Sequence, residues 1–303
     1  MPRTRLAHAA LLLAALGLAA CSGSAPSAAP SAKAASVVPV IVSSQQSVGP
    51  NRFVFSFLDA ATNLPAAASD RTASVAFLAP GATEPGPAVP AEFVWAVEGS
   101  RGEYVASTDF TAPGDWKAIF VTAAPGKPQE AIGVAFQVAE KGVTVAVGDK
   151  APASDTPTLA SVGGDIAHLS TDPKPDPDFY QLSVKDAIAQ GKAFVLVFAT
   201  PAFCKSAQCG PTLDRVKKVK AEAPANVAFI NVEPYQLQFT EGRLQPVLDP
   251  YNQLQPVQAV SDWQILSEPW IFTVDRQGVV QGSFEGVVSE QELRDAVKAI
   301  SSS

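Results

Sequence analysis

Residues 194–211 read Phe194-Val-Leu-Val-Phe198-Ala-Thr-Pro-Ala-Phe203-Cys204-Lys-Ser-Ala-Gln-Cys209-Gly-Pro211. The unbroken apolar run 194–198 predicts a strand covered on both faces, within a strand spanning 193–199. It empties into a short loop carrying two cysteines. Leu213, Val216 and Val219 then recur at helical spacing, which predicts a helix over 211–222. Pro211 fits that start, because proline is favoured in the first turn of a helix. On a regular helix, residues five apart lie roughly 8–9 Å apart, too far for a disulfide. A Cys204–Cys209 bridge therefore demands that 204–208 be looped and that the helix begin after Cys209. Cys209 then stands at a helix N-terminus, where free N–H groups and the helix dipole favour a thiolate.

Working outward, the C-terminal half alternates helix and strand. Ser183-Val-Lys-Asp186 has a capping pattern for a short helix, and Gly191 is its expected C′ residue. Val227-Ala-Phe-Ile-Asn-Val232 is a second continuous apolar run, expected as a central parallel strand. Residues 233–262 are Gln-rich and broken by prolines, longer than a simple connection needs. Then come an apolar strand Trp270–Val274, an Asp275-Arg-Gln-Gly278 turn, a strand over 279–285, and a capping box Ser289-Glu-Gln-Glu292 opening the last helix. The order is β-α-β, a β-hairpin, and α, which predicts an α/β domain over 181–303.

The front of the chain carries a different message. Arg3 and Arg5 precede an apolar stretch, Leu6 to Ala20, too short for a stable membrane span. Leu18-Ala19-Ala20-Cys21 resembles a bacterial lipobox. The resemblance implies a signal peptide over 1–20, cleavage before Cys21, and lipidation of the Cys21 sulfur. The expected location is extracytoplasmic, lipid-anchored to a bacterial cell membrane. The Ala/Ser/Pro-rich stretch 21–36 cannot bury a core and reads as a tether. With Cys21 assigned, Cys204 and Cys209 remain as an even pair in a compartment that permits disulfides. Loss of Arg3 and Arg5 leaves 20 basic against 29 acidic residues, a formal charge of −9. That balance excludes nucleic acid as a partner and offers no polybasic patch for anionic lipid.

Residues 37–147 read as all-β. Short alternating stretches at 52–58, 73–78, 92–97, 116–121 and 133–138 are separated by Pro80-Gly81, Gly99-Ser100, Pro113-Gly114 and Pro125-Gly126, the pattern of a β-sandwich. Gly102-Glu-Tyr104 followed by Pro113-Gly-Asp-Trp116 resembles the ending of bacterial immunoglobulin-like modules, with Tyr104 and Trp116 expected in the core. Residues 148–180 are proline-rich and expected to run extended. Val147-Gly-Asp-Lys-Ala-Pro152 resembles the lead-in of peroxiredoxin and thioredoxin-like chains.

Segment 193–300 as a whole resembles thioredoxin-like domains of bacterial extracytoplasmic proteins. The resemblance implies Cys204 as the attacking cysteine, Cys209 as the resolving one, and Pro269 of Ser267-Glu-Pro269 as a cis-proline facing them. It also implies thiol–disulfide exchange without a cofactor, on a disulfide- or thiol-bearing extracytoplasmic protein, with a separate redox partner. Four residues lie between the cysteines where thioredoxins have two, so the helix argument keeps Cys209 open as the nucleophile. Cys209-Gly-Pro-Thr212 also looks like the thioredoxin motif with Thr in the final place. Two other readings stand beside it: a binding or scaffold lipoprotein with a structural disulfide, and a copper-handling protein using the thiolates and His168. The peroxiredoxin pattern fails, because Thr200 lies four positions before Cys204 instead of three and its proline is missing. Glu233 and Glu268, each before a Pro at a strand end, are candidates for moving protons at the thiols. Asp172, Asp176 and Asp178 alternate with prolines and lack the glycine and glutamate of a calcium loop. Trp263 and Trp270 are expected as packing residues.

Overall fold

The computed structural model describes residues 34–302; the expected leader, Cys21 and most of the tether lie outside the described residues. Eight strands come first: β1 (Val37–Ile41), β2 (Gly49–Asp59), β3 (Thr72–Leu78), β4 (Val89–Pro90), β5 (Glu92–Val97), β6 (Arg101–Phe110), β7 (Gly114–Ala123) and β8 (Glu130–Val138). They form two antiparallel sheets, β1-β2-β6-β5 and β4-β3-β7-β8, packed face to face as a sandwich. Alternation drives the packing: Phe53, Phe55 and Phe57 all point inward from β2, against Phe77, Tyr104, Phe110, Trp116 and Phe120. Tyr104 and Trp116 are core aromatics, as expected. The Tyr104 hydroxyl donates to the Ala68 carbonyl at 2.9 Å, and the Trp116 indole N–H to the Ala112 carbonyl at 3.0 Å.

Strand β6 was not anticipated from the sequence, although it is central to its sheet. Its run from Gly102 to Ala106 is buried on both faces, so it shows no alternation. One face joins the sandwich core. On the other, Val54, Val94, Ala96 and Val105 pack on Val287 of the C-terminal body.

That body holds a third sheet, ordered β10-β9-β13-β14, from β9 (Ala193–Phe198), β10 (Val227–Val232), β13 (Trp270–Val274) and β14 (Val280–Glu285). β9 and β10 are parallel; β13 runs antiparallel to both β9 and β14. Helices α2 (Cys209–Glu222) and α4 (Glu290–Ser301) cover one face; α1 (Val184–Ala189) and α3 (Gln258–Trp263) cover the other. β9 serves both: Val195 and Val197 face α2 and α4, while Phe194, Leu196 and Phe198 face α1 and α3. Both helix caps predicted from sequence form. Ser183 accepts the Asp186 N–H, and Ser289 with Glu292 makes a complete capping box.

Three expectations are corrected. β10 is an edge strand, not a central one; its apolar run reflects helices on both faces rather than strands on both sides. Residues 148–180 are not uniformly extended but contain 3-10 turns at Ala160–Val162, Ile166–His168 and Pro177–Tyr180. The last of these follows from local chemistry: Asp176 caps the Asp178 N–H, and Pro177 takes the first helical position, where a missing N–H costs nothing. Helix α2 begins at Cys209 itself. In the Gln-rich stretch, β11 (Leu237–Thr240) and β12 (Arg243–Pro246) form a separate hairpin.

Residues from 35 onward make one compact unit. No helix among the described residues is long and apolar enough to cross a membrane.

Candidate functional site

The loop 199–208 leaves the end of β9 and returns to the start of α2. Ala207 adopts φ 61°, a left-handed conformation that turns the chain back on itself. Cys204 and Cys209 form a disulfide with their Cα atoms 6.0 Å apart, within the usual range. The two sulfurs are not equivalent. Cys209 is fully buried in the first turn of α2, packed with Leu213 and Val216, while Cys204 is only half-buried. The Cys209 backbone N–H donates to Cys204 Sγ at 3.2 Å. The helix N-terminus thus directs its polarity at the more exposed sulfur.

The segment before β13 clasps this loop. Glu268 Oε1 accepts the Lys205 N–H at 3.2 Å, and the Glu268 carbonyl accepts the Ser206 hydroxyl at 3.1 Å. Ser206 Oγ lies 3.3 Å from Cys204 Sγ. The Tyr235 hydroxyl donates to the other Glu268 oxygen at 2.8 Å; burial and that carboxylate push the Tyr235 phenol well above its usual range. The Glu268–Pro269 peptide bond is cis, and the Pro269 carbonyl accepts the Gly286 N–H at 2.9 Å. Both Glu268 oxygens are therefore engaged. It holds the loop against the start of β13.

The sandwich is the other wall. Arg101 donates to the Ser206 carbonyl at 2.6 Å, and Gln208 Nε2 donates to Glu103 Oε1 at 2.6 Å. The Arg215 guanidinium of α2 donates to the Trp95 carbonyl. Arg52 makes two bonds to the Glu292 carboxylate, at 2.9 and 3.1 Å, and donates to the Val287 carbonyl at 2.6 Å. Against the opposing push of burial, Arg52 and the Ser289 cap hold the Glu292 carboxyl below its usual value. Glu103 goes the other way. Burial raises its carboxyl, Glu285 adds to the rise, and Gln208, Arg101 and Arg52 only partly offset it.

The remaining candidates lie apart from the disulfide. Glu233 is buried, accepts the Thr171 N–H at 2.7 Å and its hydroxyl at 2.8 Å, and is raised by burial. It reaches the loop through Thr200 and through Thr171, whose hydroxyl accepts the Ala202 N–H at 3.2 Å. It lines a cavity of about 420 Å³ with Tyr180, Asn231, Tyr235, Leu237 and Val257, beneath the β11–β12 hairpin. His168 stacks on Phe239 at 4.0 Å and sits 3.7 Å from Asp165. Among the described residues, no three His, Cys, Asp or Glu side chains converge as a metal site. Asp172 pairs with Lys217, and Asp176 and Asp178 with Lys220, so the proline-spaced aspartates anchor α2. Trp263 packs on Phe272 at 4.5 Å, and the Trp270 indole N–H donates to Ser283; both are packing residues.

Ser206, Gln208, Tyr235, Glu103 and Arg101 are among the contributors missed from sequence. The one available signal was Glu103 itself, a carboxylate inside the otherwise apolar run Gly102–Ala106 and beside the aromatic Tyr104.

No family model and no curated protein matches the chain. Among solved structures, a DUF4426 family protein from Pseudomonas aeruginosa aligns over 31% of this chain and 77% of that one, with 9% identity and a TM-score of 0.23. A likeness at that level assigns neither fold nor activity.

Proposed function

We propose that the chain is an extracytoplasmic thiol–disulfide oxidoreductase of thioredoxin-like fold, with Cys204 the attacking sulfur and Cys209 the resolving one. The observation that carries this reading is the asymmetry of the pair. A half-exposed Cys204 receives an N–H from the start of α2, while Cys209 is fully buried behind it. A backbone N–H aimed at a sulfur stabilises the thiolate, and access decides which thiolate meets a substrate. In the reduced protein, the Cys204 thiolate attacks one sulfur of a substrate disulfide. A mixed disulfide forms and a substrate thiolate leaves. The Cys209 thiolate then attacks Cys204 Sγ, closes the internal bridge and releases the second substrate thiolate. Two electrons pass to the substrate, and a separate protein dithiol returns them. Neither step requires a metal or an organic cofactor.

Lipidation at Cys21, and with it a membrane-anchored location, rests on the sequence of residues 3–21 alone. The immunoglobulin-like sandwich serves in this reading as the docking wall of the cysteine loop.

The decisive experiment equilibrates the pair against glutathione. A reduction potential between about −120 and −270 mV places it among working exchangers, and a Cys209→Ser variant then traps substrates as mixed disulfides through Cys204. A potential below about −300 mV ends the reading. The chain is then a scaffold with a structural bridge, an alternative favoured by the many hydrogen bonds that hold the loop on both sides.

A further inference from the structure

The interface between the sandwich and the cysteine loop contains a buried pair whose hydrogen bonding is incomplete. Glu103 of β6 and Gln208, the residue that caps α2 and precedes Cys209, are both buried. Gln208 Nε2 donates to Glu103 Oε1 at 2.6 Å. The two remaining side-chain oxygens, Glu103 Oε2 and Gln208 Oε1, are buried and have no donor. Both flank the same backbone position: a methyl on Gly286 would sit 3.4 Å from Gln208 Oε1 and 3.9 Å from Glu103 Oε2. Two buried acceptors without donors are costly, and a single proton shared between them would remove the cost for both.

We propose that Glu103 is a positioning residue for the cysteine site, carrying a proton on Oε2 that it donates to Gln208 Oε1, so that acid and amide close a two-bond ring fastening the start of α2 to the sandwich. This rests on the oxidoreductase reading of the cysteines. The surroundings agree. Burial pushes the Glu103 carboxyl up, and the charged groups facing it are mixed in sign: Arg101 on its own strand, Arg52 on β2, Arg215 on α2 and Glu285 on β14. Loss of the proton turns Oε2 into a second acceptor aimed at an acceptor and places a full negative charge beside the N-terminus of α2. Both effects disfavour a thiolate at Cys204, because the Cys209 N–H that stabilises it is held in place by the same helix turn. The sandwich thereby makes thiol exchange pH-dependent through a residue that never touches the sulfurs.

The test uses the full chain with carboxyl-labelled glutamate and two readouts. Carbon NMR follows the Glu103 carboxyl, assigned by its absence in Glu103→Gln. Equilibration with dithiothreitol follows the Cys204–Cys209 bridge across pH. In Glu103→Gln an amide–amide pair preserves the ring without a titrating proton. The expected result is a Glu103 midpoint above those of the exposed glutamates. At the same midpoint, the disulfide equilibrium should step by about tenfold, the change that a one-unit displacement of a linked pKa produces. That step is absent from Glu103→Gln. A Glu103 that titrates with the exposed glutamates, or a step that persists in Glu103→Gln, overturns the proposal. A folded protein whose bridge resists dithiothreitol at every pH ends the oxidoreductase reading and the positioning role with it. The NMR titration still decides whether the shared proton exists, so the two failures are told apart.

Discussion

At the scale of single residues, the site is governed by which polar atoms are left to find partners once the loop is closed. Glu103 makes the clearest thermodynamic statement. Its folded carboxyl lies above the ordinary 4.5, so its contribution to stability is complete below that value and is lost as pH rises through the raised one. Glu103→Gln is therefore expected to match the parent in acid and to become the more stable of the two as pH rises through the raised midpoint. Urea unfolding at several pH values checks this, and a difference independent of pH contradicts it. Tyr235 acts through a second carboxylate. Its hydroxyl braces Glu268, which holds Lys205, so Tyr235→Phe is expected to cost about 1–2 kcal/mol and to speed proteolysis within the cysteine loop. Beyond the cysteines, Glu268 and Pro269, little of this was legible in the sequence. Gln208 and Ser206 lie inside the motif, yet what they bind comes from segments about a hundred or sixty positions away. Side-chain identity at one position does not encode the other half of such a bond.

At the scale of elements, the C-terminal body was readable wherever periodicity and caps act locally. The apolar run 194–198, the Leu213/Val216/Val219 spacing and the Ser289–Glu292 box each specify their element with residues a few positions apart. Their energetic weight is testable at the same scale. Leu213→Ala opens a void under the sheet and is expected to cost about 2–5 kcal/mol, whereas Ser289→Ala removes one cap for about 1 kcal/mol. A reversed ranking in thermal melts would show that α4, not α2, anchors the sheet. The elements that escaped reading are those whose environment is set from outside. β6 lost its alternation because Val105 is covered by the second body. β10 reads as central because helices hide an edge strand as well as neighbouring strands do. The β11 and β12 strands are only four residues each, too short for their alternation to stand out.

At the scale of the whole molecule, the two bodies share one interface and meet at the cysteine loop. Arg52 is its principal charge, bound to Glu292 and to the Val287 carbonyl. Arg52→Ala strands the Glu292 carboxylate in a partly buried site and is expected to cost about 1–3 kcal/mol, discounted for the exposure that remains. Because the Glu292 carboxyl is held down in the folded state, that contribution is present above its unfolded value and lost as pH falls through the folded one. The Arg52→Ala deficit should therefore shrink in acid, a trend opposite to the one set by Glu103. The connection between the bodies adds a further consequence. Val143 is still hydrogen-bonded to Gln45 in the sandwich, and the next residue, Thr144, already bonds to Gln264 in the second body. Consecutive Cα atoms lie only about 3.8 Å apart. A leash that short keeps the sandwich at an effective concentration of about millimolar or more over the cysteine loop. Any partner that needs the face under Arg101 and Glu103 thus meets a resident competitor, and its apparent affinity measures how well it displaces part of the same chain.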